Sequence, residues 1–382
     1  MKNKAMNEFP LLNEDEGVPL FYPHIPEGAI AEVSDTLSGR WIGQGPKVDR
    51  FESQIKEKFL GACEPLAVGS GTDALHIAYL LAGICPGDEV IVPVFTCTAT
   101  NLPLLYIGAH PIFADIDTES LNLDIADLEH RITDKTKAIV CVDYGGVPND
   151  YDALRGLCDK YDLKLISDAA HAMGTKYNNQ YACQLPDFTI FSFQAIKTLT
   201  TGDGGMLIIK DPSLLALGKK LRWFGIDREA KQGGIWENDI VDVGYKYQMN
   251  DISAAIGLAG LKEIDNIIKH RNSLFKCYQD LLTSERVRLV GLAETSQYFN
   301  SAWLVTIIVD SGRVELMNKL RSKKIESAQV HYRNDRYSVF GGRKNDLPNM
   351  DALEDRYLVL PLHTRINYDH VKEICEVING GW

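Results

Sequence analysis

No cysteine pair in this sequence has the CxxC spacing of a zinc or redox site, and no HExxH zinc motif occurs. The eight cysteines (Cys63, Cys85, Cys97, Cys141, Cys158, Cys183, Cys277, Cys375) are scattered, several inside apolar runs. That is the usage of a reducing cytoplasm and not of a disulfide framework. The nine histidines are equally dispersed, so no structural metal is expected. Positive charge is in the minority: 40 lysines and arginines stand against 52 aspartates and glutamates, a net charge of −12. This balance argues against nucleic acid and anionic membranes as partners, while it leaves room for a local phosphate pocket. Apolar runs never approach membrane-spanning length. The first ten residues, MKNKAMNEFP, hold two lysines with no apolar region behind them, so no signal peptide is expected and the chain is placed in the cytoplasm. Internal repeats and low-complexity tracts are lacking too.

What is present is the composition of a soluble protein, 45% hydrophobic and 24% charged, over 382 residues. That length suits one large domain and a smaller one. A helix is expected from about Pro26 to Leu37 and another over 47–59. From residue 66 onward short apolar runs alternate with helical stretches. Strands are expected at 66–68, 90–92, 111–114, 138–142, 164–167 and 188–193, with helices near 72–83, 98–107, 124–131 and 150–160. Such alternation predicts a mostly parallel sheet between helices, with ligands beyond the carboxyl ends of its strands. A helical segment follows at 212–224, then a Gly-rich, charged loop over 229–244. One long helix is expected from about Asn250 to His270, with Ile252, Ala255, Ile256, Ala259, Ile264 and Ile267 inward. Beyond it the pattern predicts helices at 272–283, 313–323 and 368–378 and strands at 303–309 and 328–331. The division is a lead-in over 1–23, a large domain over 24–250, and a linking helix with a smaller domain over 251–382.

Three stretches carry chemistry. FTIFSFQAIKTLTTGDGGMLII, Phe188 to Ile209, holds one cation, Lys197, between two apolar runs. Burial there disfavours the ammonium and lowers its pKa, and a neutral amine can attack a carbonyl and hold it as a Schiff base. VGSGTDAL, Val68 to Leu75, runs from a strand end into a helix start, where free N–H groups and the helix dipole suit a phosphate. KLISDAAHAMG, Lys164 to Gly174, puts Asp168 at the end of a buried strand, where a carboxylate needs a partner such as a pyridinium N–H. His171 is within reach of the same ring if a helical turn starts at Asp168. Ser192, five residues before Lys197, can reach a phosphate held at Gly71 and Thr72. Each stretch alone has a plainer reading, as a snorkelling lysine or as an N-cap at Ser70, Thr72 or Asp168. In SGRWIGQGPKVDRFE, Gly43, Gly45 and Pro46 make a sharp loop with Trp41 as an aromatic wall, or a plain turn between helices. The triplet Asp115–Asp117 has the DxD spacing of a metal-dependent glycosyltransferase, but reads more simply as a solvated loop.

SGTDAL, PGDEVIVP, SDAAHAMG, SFQAIKTLTTGDGG and GYKYQMNDISAAIGLAGL resemble the sugar-nucleotide aminotransferases of the DegT/StrS type, over roughly Pro19 to Ile378. The resemblance implies an α/β, aspartate-aminotransferase-like fold type I, with a large domain around a mostly parallel sheet and a smaller C-terminal α+β domain. It implies pyridoxal 5′-phosphate as cofactor, with pyridoxamine 5′-phosphate as intermediate. Lys197 becomes the Schiff-base lysine, Asp168 the partner of the pyridine nitrogen and His171 a neighbour of the ring, while Gly71, Thr72 and Ser192 hold the phosphate. Family members are homodimers with active sites at the interface. Two departures stand out. Cys97 occupies a position where many members stack an aromatic on the ring. Lys246 and Gln248 replace an Asn and an Arg, which makes Lys246 a charged phosphate contact from the neighbouring subunit.

The function implied is transfer of an amino group from glutamate, leaving 2-oxoglutarate, to a nucleotide-linked keto sugar, most often at C4 of a 6-deoxy sugar. Trp41, Gln44, Trp223, Arg228, His331 and Tyr332 are the candidates on the substrate side. The rivals are transamination of an inosose or triose phosphate, a keto-sugar dehydratase, and a non-catalytic regulatory protein. The dehydratases replace the lysine with histidine, so Lys197 counts against that reading.

Overall fold

The computed structural model describes residues 11, 12, 16–237, 239, 240 and 242–382, so the expected lead-in lies partly outside the described residues. Its central sheet has seven strands: β1 (Glu64–Val68), β2 (Glu89–Pro93), β3 (His110–Ala114), β4 (Thr136–Val142), β5 (Lys164–Asp168), β6 (Phe188–Ser192) and β7 (Gly205–Ile209). In space their order is β1-β7-β6-β5-β4-β2-β3. Neighbours from β6 through β3 are parallel, and β7 alone runs antiparallel, to both β1 and β6. The strand period of two sends Leu66, Leu207, Ile190 and Val140 to one face, and Ala67, Ile208, Phe191 and Leu165 to the other. Both sets are buried, which is why these strands read as continuous apolar runs.

This topology places the chemistry. The carboxyl ends of β1, β5 and β6 share one edge of the sheet, and β7, running the other way, begins there. Val68, Gly205 and Ser192 therefore lie side by side, one residue from each strand.

The smaller domain is a three-stranded antiparallel sheet, Val287–Leu289, Val305–Val309 and Tyr357–Leu360, backed by the helices Arg313–Ser322 and Tyr368–Asn379. Its core gathers Leu274, Phe275, Ile307, Leu316, Leu358 and Ile374.

Four expectations are corrected. The single helix over 250–270 is two, Asp251–Leu261 and Ile264–Leu281, and the second absorbs the helix expected at 272–283. The break falls beside Glu263, whose carboxylate turns away to accept from the Glu27 N–H at 3.1 Å and to meet His24 at 2.7 Å. Of the residues expected inward, Ile252 and Ile256 are only half-buried. The strand expected at 328–331 is a single bridge from Ala328 to Val359; the chain then crosses to the large domain, where Tyr332–Arg333 pairs with Phe95–Thr96. Finally, Asp115 is not solvated. It is 2% exposed and accepts from the backbone N–H groups of Asn349 (2.7 Å) and Met350 (2.9 Å), capping the helix Pro348–Leu353. No cluster of His, Cys, Asp and Glu suited to a metal occurs among the described residues, and none of their helices is long and apolar enough to cross a membrane.

Candidate active site

At the shared edge of β1, β6 and β7 the helix Gly71–Leu81 begins, with Ser70 as its N-cap accepting from the Asp73 N–H at 3.1 Å. The first N–H groups of a helix have no intrahelical partner, so those of Gly71 and Thr72 are left to meet an anion. Ser192 stands against them: a Cβ on Gly71 would lie 3.1 Å from the Ser192 Cβ and 3.4 Å from its Oγ. Gly205 closes the floor, since a Cβ there would fall 2.3 Å from the Ser70 carbonyl oxygen and 2.6 Å from the Gly71 nitrogen. Gly205→Ala is therefore expected to push the helix start off its position. The overpacking costs about 1–3 kcal/mol, read as a weaker dissociation constant for pyridoxal phosphate by absorbance titration. Unchanged affinity would mean that the cradle is not at this helix.

Asp168 ends β5, 4% exposed. Its Oδ2 accepts from the Thr100 hydroxyl at 2.7 Å and its Oδ1 from the Ala170 N–H at 3.1 Å. Burial raises the carboxyl pKa, and the Thr100 hydroxyl, the Ala170 N–H and the nearby Lys197 charge all work against that rise. Two oxygens with two donors keep free lone pairs, as a carboxylate waiting for a further N–H does. Thr100 is itself set by the Thr96 hydroxyl at 2.8 Å.

His171 is buried, and its tautomer follows from its neighbours. Gly145 donates its N–H to Nδ1 (3.4 Å), so the ring proton is on Nε2, which faces Nε2 of His331 at 3.3 Å. The two rings are stacked, 5.1 Å apart and 7° from parallel. Burial and the Lys197 charge push His331 down to about 3 and His171 well below its ordinary value, so both are neutral at physiological pH.

Lys197 lies in the turn after β6, where its N–H reaches the Gln194 carbonyl at 2.9 Å. Its Nζ sits 3.6 Å from the ring centre of Trp303. Burial brings the amine from 10.5 down to about 8, against the opposing pull of Asp168 and Cys97. About a tenth is then free base at pH 7, roughly two-hundredfold more than for an exposed lysine with a pKa near 10.4. Cys97 is exposed and N-caps the helix Thr98–Ile107.

The structure thus brings Gly71, Thr72, Ser192, Asp168, His171, Lys197 and His331 to one end of the sheet. Tyr332 follows His331 on the strand that pairs with Phe95–Thr96, with its side chain exposed. Gln44, Trp223 and Arg228 line a different cavity of about 470 Å³, between the helices Pro46–Ile55 and Leu215–Leu221. Arg228 donates to the Gln44 carbonyl at 2.6 Å, and Lys246 stands 3.7 Å over the Trp223 ring. Trp41 is exposed near its rim, packed on Gly45. Sequence reasoning missed Trp303 and Thr100. Trp303 opens an apolar run that read only as a strand, and Thr100 carries no local signal.

The model of the DegT/DnrJ/EryC1/StrS aminotransferase family matches residues 23–379. GDP-perosamine synthase of Escherichia coli O157:H7 is 34% identical over 368 residues, covering 95% of this chain and 98% of that protein. The UDP-4-amino-4-deoxy-L-arabinose–oxoglutarate aminotransferase of Shewanella sediminis is 33% identical, covering 96% of this chain and 98% of its own. Among solved structures, Spr1654 of Streptococcus pneumoniae, assigned as a sugar aminotransferase, superposes in its PMP form with a TM-score of 0.89 at 30% identity, over 95% of this chain and 98% of that one.

Proposed function

This chain belongs to the DegT/DnrJ/EryC1/StrS aminotransferase family of pyridoxal-phosphate enzymes, with the fold type I architecture, and from that premise we propose that it aminates a nucleotide-linked keto sugar at the expense of glutamate. The observation that carries the reading is the convergence of an anion cradle, a buried carboxylate and a buried lysine of lowered pKa at the carboxyl ends of β1, β5 and β6. The residues present fit the cofactor: the cradle matches its phosphate and the spare acceptor capacity of Asp168 its ring nitrogen.

Pyridoxal phosphate, when bound, supplies an electron sink for the carbon that loses or gains a proton. Around it each side chain has its own task. The Gly71 and Thr72 N–H groups and the Ser192 hydroxyl bind the phosphate. Asp168 accepts the ring N–H and, by staying ionised, keeps the proton there. His171, protonated on Nε2, would stand beside the ring. Lys197 would hold the aldehyde carbon through Nζ, and its amine would be the base that takes the proton from the donor α-carbon. The same Nζ would return a proton to the sugar carbon. The relative named for 2-oxoglutarate supports glutamate as donor, and both named relatives support a nucleotide-linked sugar, of which a 4-keto-6-deoxy sugar is our candidate.

We further propose a homodimer. An apolar groove runs along the helix Ala29–Ser38, lined by Ile25, Ile30, Val33, Leu37 and Ile256, with Ile30 80% and Leu37 59% exposed. A contiguous patch of that kind suits a partner surface. In that dimer the cavity of Gln44, Trp223 and Arg228, with Lys246 over Trp223, is our candidate for the part of the site that serves the neighbour's lysine. Ile30→Asp combined with Leu37→Asp is expected to give a monomer by light scattering at micromolar concentration, with activity lost; a dimer that survives both changes would place the interface elsewhere.

The test of function is absorbance with pyridoxal phosphate, then glutamate, then nucleotide-linked 4-keto-6-deoxy sugars as acceptors. A visible band that falls with glutamate and returns with a keto sugar supports the reading. A band that glutamate leaves unchanged refutes the donor, and one that no keto sugar restores refutes the acceptor.

A further inference from the structure

The lysine of this site is held by a residue from the other domain. Trp303 is 1% exposed and lies two residues before the small-domain strand Val305–Val309. Its backbone N–H donates to the Gly145 carbonyl at 2.9 Å, on the same glycine whose N–H meets His171. Ala302 before it has φ +55°, a left-handed conformation that a non-glycine residue keeps only where its surroundings impose it. Here the Asn300 side chain imposes it, accepting from the Ala302 N–H at 2.7 Å. The bend delivers the indole into the large domain. There its Nε1–H donates to the Ile196 carbonyl at 2.9 Å, the peptide that leads into Lys197. The indole is stacked on His171 at 3.9 Å and on Phe21 at 5.6 Å, so three segments fix its plane.

We propose that Trp303 is the positioning residue of Lys197: its indole N–H anchors the peptide carrying the lysine, and its ring face is the seat of the amine whenever that amine is free of the cofactor. This rests on reading Lys197 as the lysine that binds the cofactor. The ring quadrupole attracts an ammonium over its face, most strongly where water is excluded. It therefore opposes burial, which drives the amine the other way, toward about 8. An amine left in the pocket without a seat would deprotonate and swing; over the indole it stays within reach, with a proton to return. The other charged or titratable groups facing it are Asp168, Cys97, His171 and His331. The two histidines are neutral above pH 6, and Asp168 draws the proton toward the amine together with the ring.

The experiment is the pH profile of Lys197 acylation in the cofactor-free enzyme, read by mass spectrometry of the Lys197 peptide, in a Cys97→Ala background so that no thiol competes there. Tryptophan at 303 is replaced site-specifically by its mono-, di- and tetrafluoro analogues, which drain the ring quadrupole without changing its shape. The parent protein should titrate no lower than about 8. Each added fluorine should lower the midpoint, reaching about one pH unit for the tetrafluoro form. Trp303→Phe, which keeps a ring face and loses the N–H, should keep most of the midpoint and bind pyridoxal phosphate more weakly. Fluorinated proteins that all titrate with the parent would overturn the ring as a seat; Trp303→Phe with unchanged cofactor affinity would overturn the anchoring N–H. Neither readout depends on turnover. A cofactor band that persists in Lys197→Ala sinks the functional reading instead, and leaves the titration result standing.

Discussion

Lys197→Ala is expected to lose the visible band that the protein forms with pyridoxal phosphate, and to lose activity by at least about 10⁴-fold. Alanine can neither bond the aldehyde nor carry a proton, and the other basic groups at the site are poor substitutes. His171 and His331 lie within contact of each other, but burial, the larger cause, still holds their basicity down when the lysine is gone. The pH profile of the wild-type half-reaction with glutamate adds a second check. Burial lowers the amine to about 8, so the fraction of free base, and with it the rate, should rise with pH and level off above that value. Activity within tenfold of wild type for Lys197→Ala would remove the lysine from the chemistry.

Asp168→Asn should separate stability from function. In the cofactor-free protein the Asp168 pKa is raised above its unfolded value, chiefly by burial. The sign follows: the unfolded state releases this proton first as pH rises, so ionised Asp168 destabilises the fold, fully above its folded pKa and not at all below the unfolded one. Asparagine removes that penalty at neutral pH. Its Oδ1 can still accept from Ala170, and the Thr100 hydroxyl can rotate to accept from its NH₂. The cofactor-free variant should therefore melt no lower than wild type at pH 7, with any advantage vanishing in acid. With cofactor the order reverses, because an amide cannot hold the ring proton. Breaking a buried charged pair costs about 3–5 kcal/mol, or two to nearly four orders of magnitude in turnover. Calorimetry at pH 7 and pH 4, with and without pyridoxal phosphate, reads both halves. Wild-type turnover in Asp168→Asn would show that the carboxylate serves packing only.

Much of this was legible along the chain because the signals are local. Strands buried on both faces must be apolar throughout, so β1 through β7 announced themselves as short apolar runs between helices. Asp168 and Lys197 stood out as polar groups next to such runs, where each needs a reason. The errors share the opposite property. Nothing between Asn250 and His270 tells that Glu263 will turn to residues 24 and 27, more than 230 positions away. Asp115 looked solvated because the N–H groups it caps belong to Asn349 and Met350.

By itself the sequence determined the layered α/β architecture, and it put the glycines, the carboxylate and the lysine proposed for the site at or just beyond strand ends. These depend on periodicity, on glycine at tight turns and on the cost of burying charge, all of which act between near neighbours in the chain. Only the tertiary structure decided that Gln44, Trp223 and Arg228 line a cavity apart from Lys197, while His331 joins His171. It alone decided that Trp303 reaches across from the second domain to lie under the lysine. Such contacts join residues more than a hundred positions apart, and they form only when the core has closed and fixed both partners, so no local pattern records them.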